Sequence, residues 1–406
     1  YLHAYQVTNK PMYKRVVEET LDYVVREMTD VAGGFYSAQD ADSEGVEGKF
    51  FVWRPEEVME TLGDGEIICR YFDVTQTGNF EGHSILNVKV YPSEFARDEG
   101  LSDLEFSDLL NRSKKTLMER RELRIHPERD DKILTAWNGL MLNAFAEAGA
   151  VLDRPDYTLV AEKNASFLLD NLRKHGRLLR SYKDGQAKLN GYLEDYAFLA
   201  AGLLTLHEAT FEPRWLLEAV DLGRSMVTLF WDESSSQFYD TGHDHEELVL
   251  RPRDVSDNAI PSGSSMATDV LLRLAVVTGD EEFQRKAIIG MRAVKEFMAR
   301  FPTGSGHWLC ALDFYLSNPK EIAIIGDRSG LDTRSLIAEV YRSFIPNRVM
   351  IGRNDSVEIL DQLPLMDGRG RIKGKSTVYV CQNYVCQLPA TDVHELARQL
   401  SEGPAQ

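Results

Sequence analysis

A helix–turn–helix pattern recurs along this chain at intervals of roughly 60 residues, and an internal repeat constrains a fold more than any other feature of a sequence. It runs first from Tyr5 to Met28, with its turn before Pro11. It returns at Ala146 to Leu172 around Arg154-Pro155-Asp156-Tyr157, and at Leu203 to Phe230 around Glu212-Pro213-Arg214-Trp215. A fourth unit, Leu272 to Phe301, turns at Thr278-Gly279-Asp280-Glu281. The second helix of each unit opens on Pro, Asp or Glu, as a helix start should. Pro11 and Pro155 stand about two intervals apart, which leaves room for one degenerate unit. Leu101 to Glu122 supplies a helix for it.

The two helices of a unit differ in kind. Ile133 to Val151, Tyr192 to Leu206 and Met266 to Val277 are apolar almost all round. The partner helices are one-sided: Phe283, Ala287, Ile288, Met291, Val294, Phe297 and Met298 alternate with Arg, Lys and Glu. A helix apolar on every face is buried, and a one-sided helix covers it from outside. Repeated buried-and-covering pairs describe a mainly α fold, an (α/α)6 toroid of up to six hairpins, incomplete at the N-terminus. An open solenoid is the structural alternative. Short segments of strand character, Phe35-Tyr36, Leu178 to Tyr182, Gln237 to Tyr239 and His307 to Leu312, fall between the units and fit hairpins at one rim. After Asn318 the character changes. Glu321 to Ile325 is a buried-strand run, Leu331 to Phe344 is amphipathic, and Arg348 to Ile351 and Thr377 to Val380 are further strands. The expected division is a toroid over 1–317 and a small α/β region over 318–406.

Composition narrows the partners. The chain holds 46 basic against 64 acidic residues, a net charge of −18 that disfavours nucleic acid and anionic membranes. No apolar run is long enough to span a bilayer, and the first residues lack the pattern of a signal peptide. Four cysteines are too few for a disulfide scaffold, which favours a reducing, cytoplasmic setting. Cys381 and Cys386 lack the second pair that zinc would need and read as free, mostly buried thiols. The start at Tyr1, inside what looks like a helix, is that of a fragment or a processed product.

In such a toroid the buried helices run the same way, so their N-termini and positive dipole ends meet at one rim. Three of those starts carry unusual polar groups: Asp131 with Trp137 and Asn138; Tyr192 with Glu194 and Asp195; and Asn258 with Ser262. Capping accounts for some of them. It does not account for adjacent carboxylates inside an apolar helix, which must find a partner or face a polar cavity. A glycine-punctuated acidic hairpin, Gly33 to Trp53, adds Tyr36, Asp40, Asp42, Glu44 and Trp53, and the segment after it adds His83. Paired carboxylates suit glycoside chemistry and histidines suit proton transfer at a sugar carbon. The expected site is therefore a polar central pocket for a sugar. Asp40, Asp42, Asp131, Glu194 and Asp195 would be its acid/base groups, and Tyr36, Glu44, Trp53, His83, Trp137, Asn138, Tyr192, Asn258 and Ser262 would hold substrate. No P-loop, dinucleotide fingerprint, nucleophile elbow or HExxH occurs, and no cofactor or metal is expected. Asp40-x-Asp42-x-Glu44 copies only the first half of a calcium loop.

Five motifs in order, GGFYSAQDADSEGVEGKFFVW, DDKILTAWNGL, GYLEDYAFLAAGLL, DNAIPSGSSMAT and YVCQNYVCQLPATD, resemble the spermatogenesis-associated protein 20 family and its bacterial relatives over nearly the whole chain. The resemblance implies an N-terminal thioredoxin-like domain, absent from this chain, followed by a toroid similar to N-acylglucosamine 2-epimerases and six-hairpin glycosidases. It implies either a carbohydrate-active enzyme or a sugar- or protein-binding scaffold that partners the thioredoxin-like domain. The epimerases' histidine motifs have no match here, so no histidine is assigned a catalytic role on that ground.

Overall fold

The computed structural model describes residues 1–246, 249–354, 360 and 362–401. The chain divides into two compact units, one formed by Tyr1–Ser37 with Lys132–Gln406 and the other by Ala38–Asp131. The boundary therefore does not fall at 317/318. Ala323, Ile325, Val349 and Ile351 share one hydrophobic core with Phe145, Leu199 and Leu271, and that shared burial makes the α/β region part of the larger unit.

The larger unit opens with α1 (Leu2–Thr8) and α2 (Pro11–Glu27). The smaller unit then follows, with α3 (Pro55–Thr61), α4 (Gly65–Tyr71), α5 (Pro92–Asp98) and α6 (Asp103–Arg121). A capping box between Ser102 and Glu105 starts α6. Tyr71, Phe95 and Phe106 stack edge-on or tilted at 4.9–5.1 Å in this unit's own core, together with Trp53, Val58 and Ile68. The helix expected to complete the repeat is thus α6, and it packs in a separate core. The acidic stretch does form a hairpin, Asp42–Ser43 against Val46–Glu47.

The chain returns to the larger unit with α7 (Thr135–Val151) and α8 (Pro155–Asn171), then α9 (Leu193–Thr210) and α10 (Pro213–Phe230). Next come α11 (Gly263–Thr278), α12 (Glu281–Ala293), α13 (Lys295–Arg300) and α14 (Gly306–Leu316). Helices α7, α9, α11 and α14 pack side by side in that order, and α8, α10 and α12 cover them. Glycines permit the closest crossing: a methyl group on Gly139 would lie 2.5 Å from the backbone of Phe198 and Leu199, and one on Gly202 would lie 2.7 Å from Gly139 O. Proline begins α2, α8 and α10, where its missing N–H leaves no bond unmade. His307 to Leu312 is helix rather than strand. Trp308, Ala311 and Phe314 are buried at a spacing of three, which places them on one helical face. The expected strands at Leu178 to Tyr182 and Gln237 to Tyr239 do form, within Arg177–Lys183 and as Gln237–Phe238.

Beyond α14, Lys320–Ile325 pairs in parallel with Arg348–Arg353 through α15 (Leu331–Arg342). On its other edge Lys320–Ile325 pairs antiparallel with Thr377–Gln382, which in turn pairs with Val385–Cys386 before α16 (Val393–Ser401). Cys381 and Cys386 are joined by a disulfide, contrary to the expectation of free thiols. They stand directly opposite one another across a two-residue hairpin turn, so cross-strand register brings the sulfurs together. Among the described residues no helix is long and apolar enough to cross a membrane.

Candidate functional site

The N-termini of the inner helices do meet, and buried carboxylates join them. Asp195 is 0% exposed. Its Oδ1 accepts the Ala136 N–H at the start of α7 (2.9 Å), and its Oδ2 accepts the Tyr192 N–H (2.8 Å) and Arg180 Nη1 (3.1 Å). Burial pushes its carboxyl up to about 7 despite the nearby Arg180. Asp257 repeats the arrangement one pair of helices further on. Its Oδ1 accepts from Ser262 N and Ser265 Oγ at the start of α11, and its Oδ2 from His307 N at the start of α14. Ser262 caps α11 by accepting Ser265 N, and Asn258 is exposed beside it. Asn138 is buried. Its Oδ1 accepts from Phe35 N and Asn164 Nδ2, and its amide donates to Phe35 O and Leu134 O. Asp195, Asn138 and Ser262 thus satisfy backbone groups that would otherwise be buried unpaired.

Trp137, Arg180, Tyr192 and Glu194 at this rim are at least partly exposed. Trp137 is 48% exposed. Arg180 pairs with Glu194 at 2.9 Å and lies 4.3 Å from the centre of the Tyr192 ring. Tyr36, also in the larger unit, donates its hydroxyl to Asp30.

Asp40, Asp42, Glu44, Trp53, His83 and Asp131 belong to the smaller unit. Asp40 is exposed and accepts the Asp42 N–H, Glu44 pairs with Lys49 at 2.6 Å, and Asp131 pairs with Arg129 at 2.6 Å. Trp53 is a core residue with Arg124 4.2 Å from its ring centre. The same Arg124 donates to the carbonyls of Phe50 and Val52. His83 accepts from Arg54. Glu44, Glu57, His83 and Arg124 border a cavity of about 470 Å³ that is formed by residues of the smaller unit, not the central pocket expected for the hairpin.

A second cavity, of about 380 Å³, lies among α7, α9, α11, α14 and the segment Phe344–Met350. Asp269 and Arg273, one turn apart on α11, pair at 3.0 Å. His307 Nε2 stands 3.8 Å from Asp269 Oδ2, and neither His307 Nε2 nor Asp269 Oδ1 has a hydrogen-bond partner among the described residues. His3 Nε2 lies 2.8 Å from Glu147 Oε1 on the same lining. Glu208 Oε1 accepts the Met350 N–H, and Glu208 Oε2 is 3.7 Å from Arg348. Burial raises Glu208 against the pull of Arg348 and Arg273. Arg273 is opposed by burial, yet Asp269, Glu208 and Glu147 hold its proton more firmly than usual. None of these residues was singled out from the sequence. One signal was present, since Asp269 and Arg273 interrupt the apolar run Met266 to Val277. His307 was hidden by the strand assignment, and His3 and Arg348 reach the cavity only through tertiary packing. Among the described residues no cluster of three or more His, Cys, Asp or Glu could hold a metal ion.

No protein-family model matches the chain. It is 33% identical to spermatogenesis-associated protein 20 of Homo sapiens, an alignment covering 98% of this chain and 56% of the relative. Identity to the Mus musculus protein of the same name is 32%, over 99% and 56%. An uncharacterized protein of Caenorhabditis elegans is 26% identical, over 94% and 56%. The chain spans about half the length of the curated relatives it matches. Solved structures that resemble it include a cellobiose 2-epimerase from Spirochaeta thermophila, 18% identical over 40% of this chain and 43% of that one, with a TM-score of 0.34. Another is a GH76 α-mannanase from Bacteroides thetaiotaomicron, 12% identical over 70% and 81%, with a TM-score of 0.38. Overlaps this loose leave the chemistry to be argued from the cavity itself.

Proposed function

We propose that this chain, a homologue of spermatogenesis-associated protein 20 over nearly its whole length, is a sugar epimerase or isomerase that works by acid/base catalysis in the cavity among its inner helices. The observation that carries the proposal is the presence of two histidine–carboxylate pairs, His307 with Asp269 and His3 with Glu147, on one cavity lining. In each pair a carboxylate stands beside the imidazole, 3.8 Å from His307 Nε2 and 2.8 Å from His3 Nε2. Two such groups allow one to take a proton from the carbon next to a sugar carbonyl while the other returns a proton. Arg273 and Arg348 are the cations available to the oxyanion that forms in between. The unpartnered Asp269 Oδ1 and His307 Nε2 are free to meet substrate hydroxyls. A volume of about 380 Å³ suits a small polar ligand. Asp195 and Asn138 enter as residues that hold the inner helices together, without touching substrate.

Incubation with a panel of reducing mono- and disaccharides in D2O, followed by proton NMR, tests the proposal. The expected result is loss of the signal from the hydrogen next to the carbonyl, together with a new epimer or isomer. His307→Asn and Asp269→Asn should each lower turnover by about 10²-fold or more while the fold is retained. Cleavage of a disaccharide without exchange would overturn the epimerase assignment in favour of a glycosidase, and full activity in both variants would remove these residues from the chemistry.

A further inference from the structure

The sheet of the larger unit carries a second reactive feature, away from the cavity chemistry. Cys381 and Cys386 form a disulfide across the hairpin Thr377–Gln382 and Val385–Cys386. Its two sulfurs are unequal, since Cys381 is 1% exposed and Cys386 faces solvent. One guanidinium touches both: Arg369 Nη2 donates to Cys386 Sγ at 3.0 Å and to Cys381 Sγ at 3.3 Å. Arg369 is itself fixed, with Nη1 on Leu365 O and its own carbonyl held by Arg353 Nη2 at 3.0 Å. The hairpin does not depend on the bond for its shape. Asn383 and Tyr384 have φ of 50° and 61°, the turn that matches the twist of paired strands, and Tyr384 OH is anchored on Val276 O. Closing so short a loop restrains little of the unfolded chain, so stability is a weak reason for this bond. A fixed cation against both sulfurs is, by contrast, what a leaving thiolate requires.

We propose that Cys381–Cys386 is a thiol–disulfide exchange site that accepts electrons from a dithiol reductant. The reductant's thiolate attacks the exposed Cys386 Sγ, the S–S bond breaks, and Cys381 leaves as a thiolate facing Arg369. The reductant's second thiolate then attacks its own sulfur in the mixed disulfide, which closes the reductant's disulfide and releases Cys386. Two electrons and two protons pass from the dithiol to the cysteine pair, and the reverse sequence restores the bond.

The test uses the whole native chain and dithiothreitol, with iodoacetamide quenching and peptide mapping so that Cys69 and Cys310 are counted apart. Cys381 and Cys386 should resist labelling without reductant and label together, without denaturant, once it is added. With glutathione in place of the dithiol, the trapped mixed disulfide should map to Cys386. If Arg369 lowers the leaving thiol's pKa by about one unit, Arg369→Gln should slow opening about threefold, and Arg369→Lys should recover most of the rate. Labelling before reductant, opening only in denaturant, an adduct on Cys381, or wild-type opening in Arg369→Gln would each overturn the proposal.

Discussion

Replacing Asp195 with alanine separates the structural work of the rim from catalysis. The side chain is fully buried and accepts two backbone N–H groups, from Ala136 and Tyr192, at 2.9 and 2.8 Å. Alanine strands both donors at the junction of α7 and α9, and a buried unmade bond costs about 1–3 kcal/mol. Together that is about 2–6 kcal/mol, which at about 2.1 cal/mol/K per residue corresponds to a fall of roughly 3–9 °C in Tm for a unit of this size. The effect should also depend on pH. The folded carboxyl is raised to about 7 by burial, whereas the unfolded one lies near 3.8. Between those values the folded state holds a proton that the unfolded state has lost, so this group's contribution to stability is full below pH 3.8. It is lost as pH rises toward 7, at about 1.4 kcal/mol per unit. The penalty of Asp195→Ala should therefore be about 3 kcal/mol larger at pH 5 than above pH 7. Denaturant unfolding of both proteins across that range, followed by circular dichroism, measures it. A penalty that is constant or grows with pH would show that Arg180 and the two amides, not burial, govern this carboxyl. An unchanged Tm at pH 5 would refute the capping role itself.

Two further substitutions probe the same packing. His207 is buried, and burial lowers its imidazole to about 4, so the unfolded state binds a proton below pH 6.5 that the folded state refuses. Stability should fall by up to about 3 kcal/mol from pH 6.5 to 4, and His207→Asn, which keeps a donor near Glu212 O, should flatten that slope in the same unfolding assay. Gly139→Ala would put a methyl group 2.5 Å from the backbone of Phe198 and Leu199, so α7 and α9 must separate. It should lower stability by about 1–3 kcal/mol, read by differential scanning calorimetry, and a neutral result would show that the crossing can relax.

Much of the fold could be read from the chain alone, because helical periodicity is a local property. All-round apolar runs became α7, α9 and α11, one-sided runs became α8, α10 and α12, and Pro155 and Pro213 marked the starts of covering helices. Local pattern failed where a segment suits two states. His307 to Leu312 is apolar enough for a strand, and only its packing of Trp308, Ala311 and Phe314 against one side makes it helix. Likewise, two cysteines five positions apart pair only because a two-residue turn sets them opposite each other. The rim showed the opposite limit. Sequence singled out Asp195 as an acid/base group and Asn138 and Ser262 as substrate contacts, but it could not tell a backbone group from a ligand as the partner of each, and all three bond backbone groups. The cavity lining is drawn from α1, α7, α9, α11, α14 and a strand of the C-terminal sheet, with His3 and Arg348 far apart in the chain. Periodicity decided which helices lie inside. Which polar side chains meet among them depends on how those helices and that sheet close on one another, and only the tertiary structure decided that.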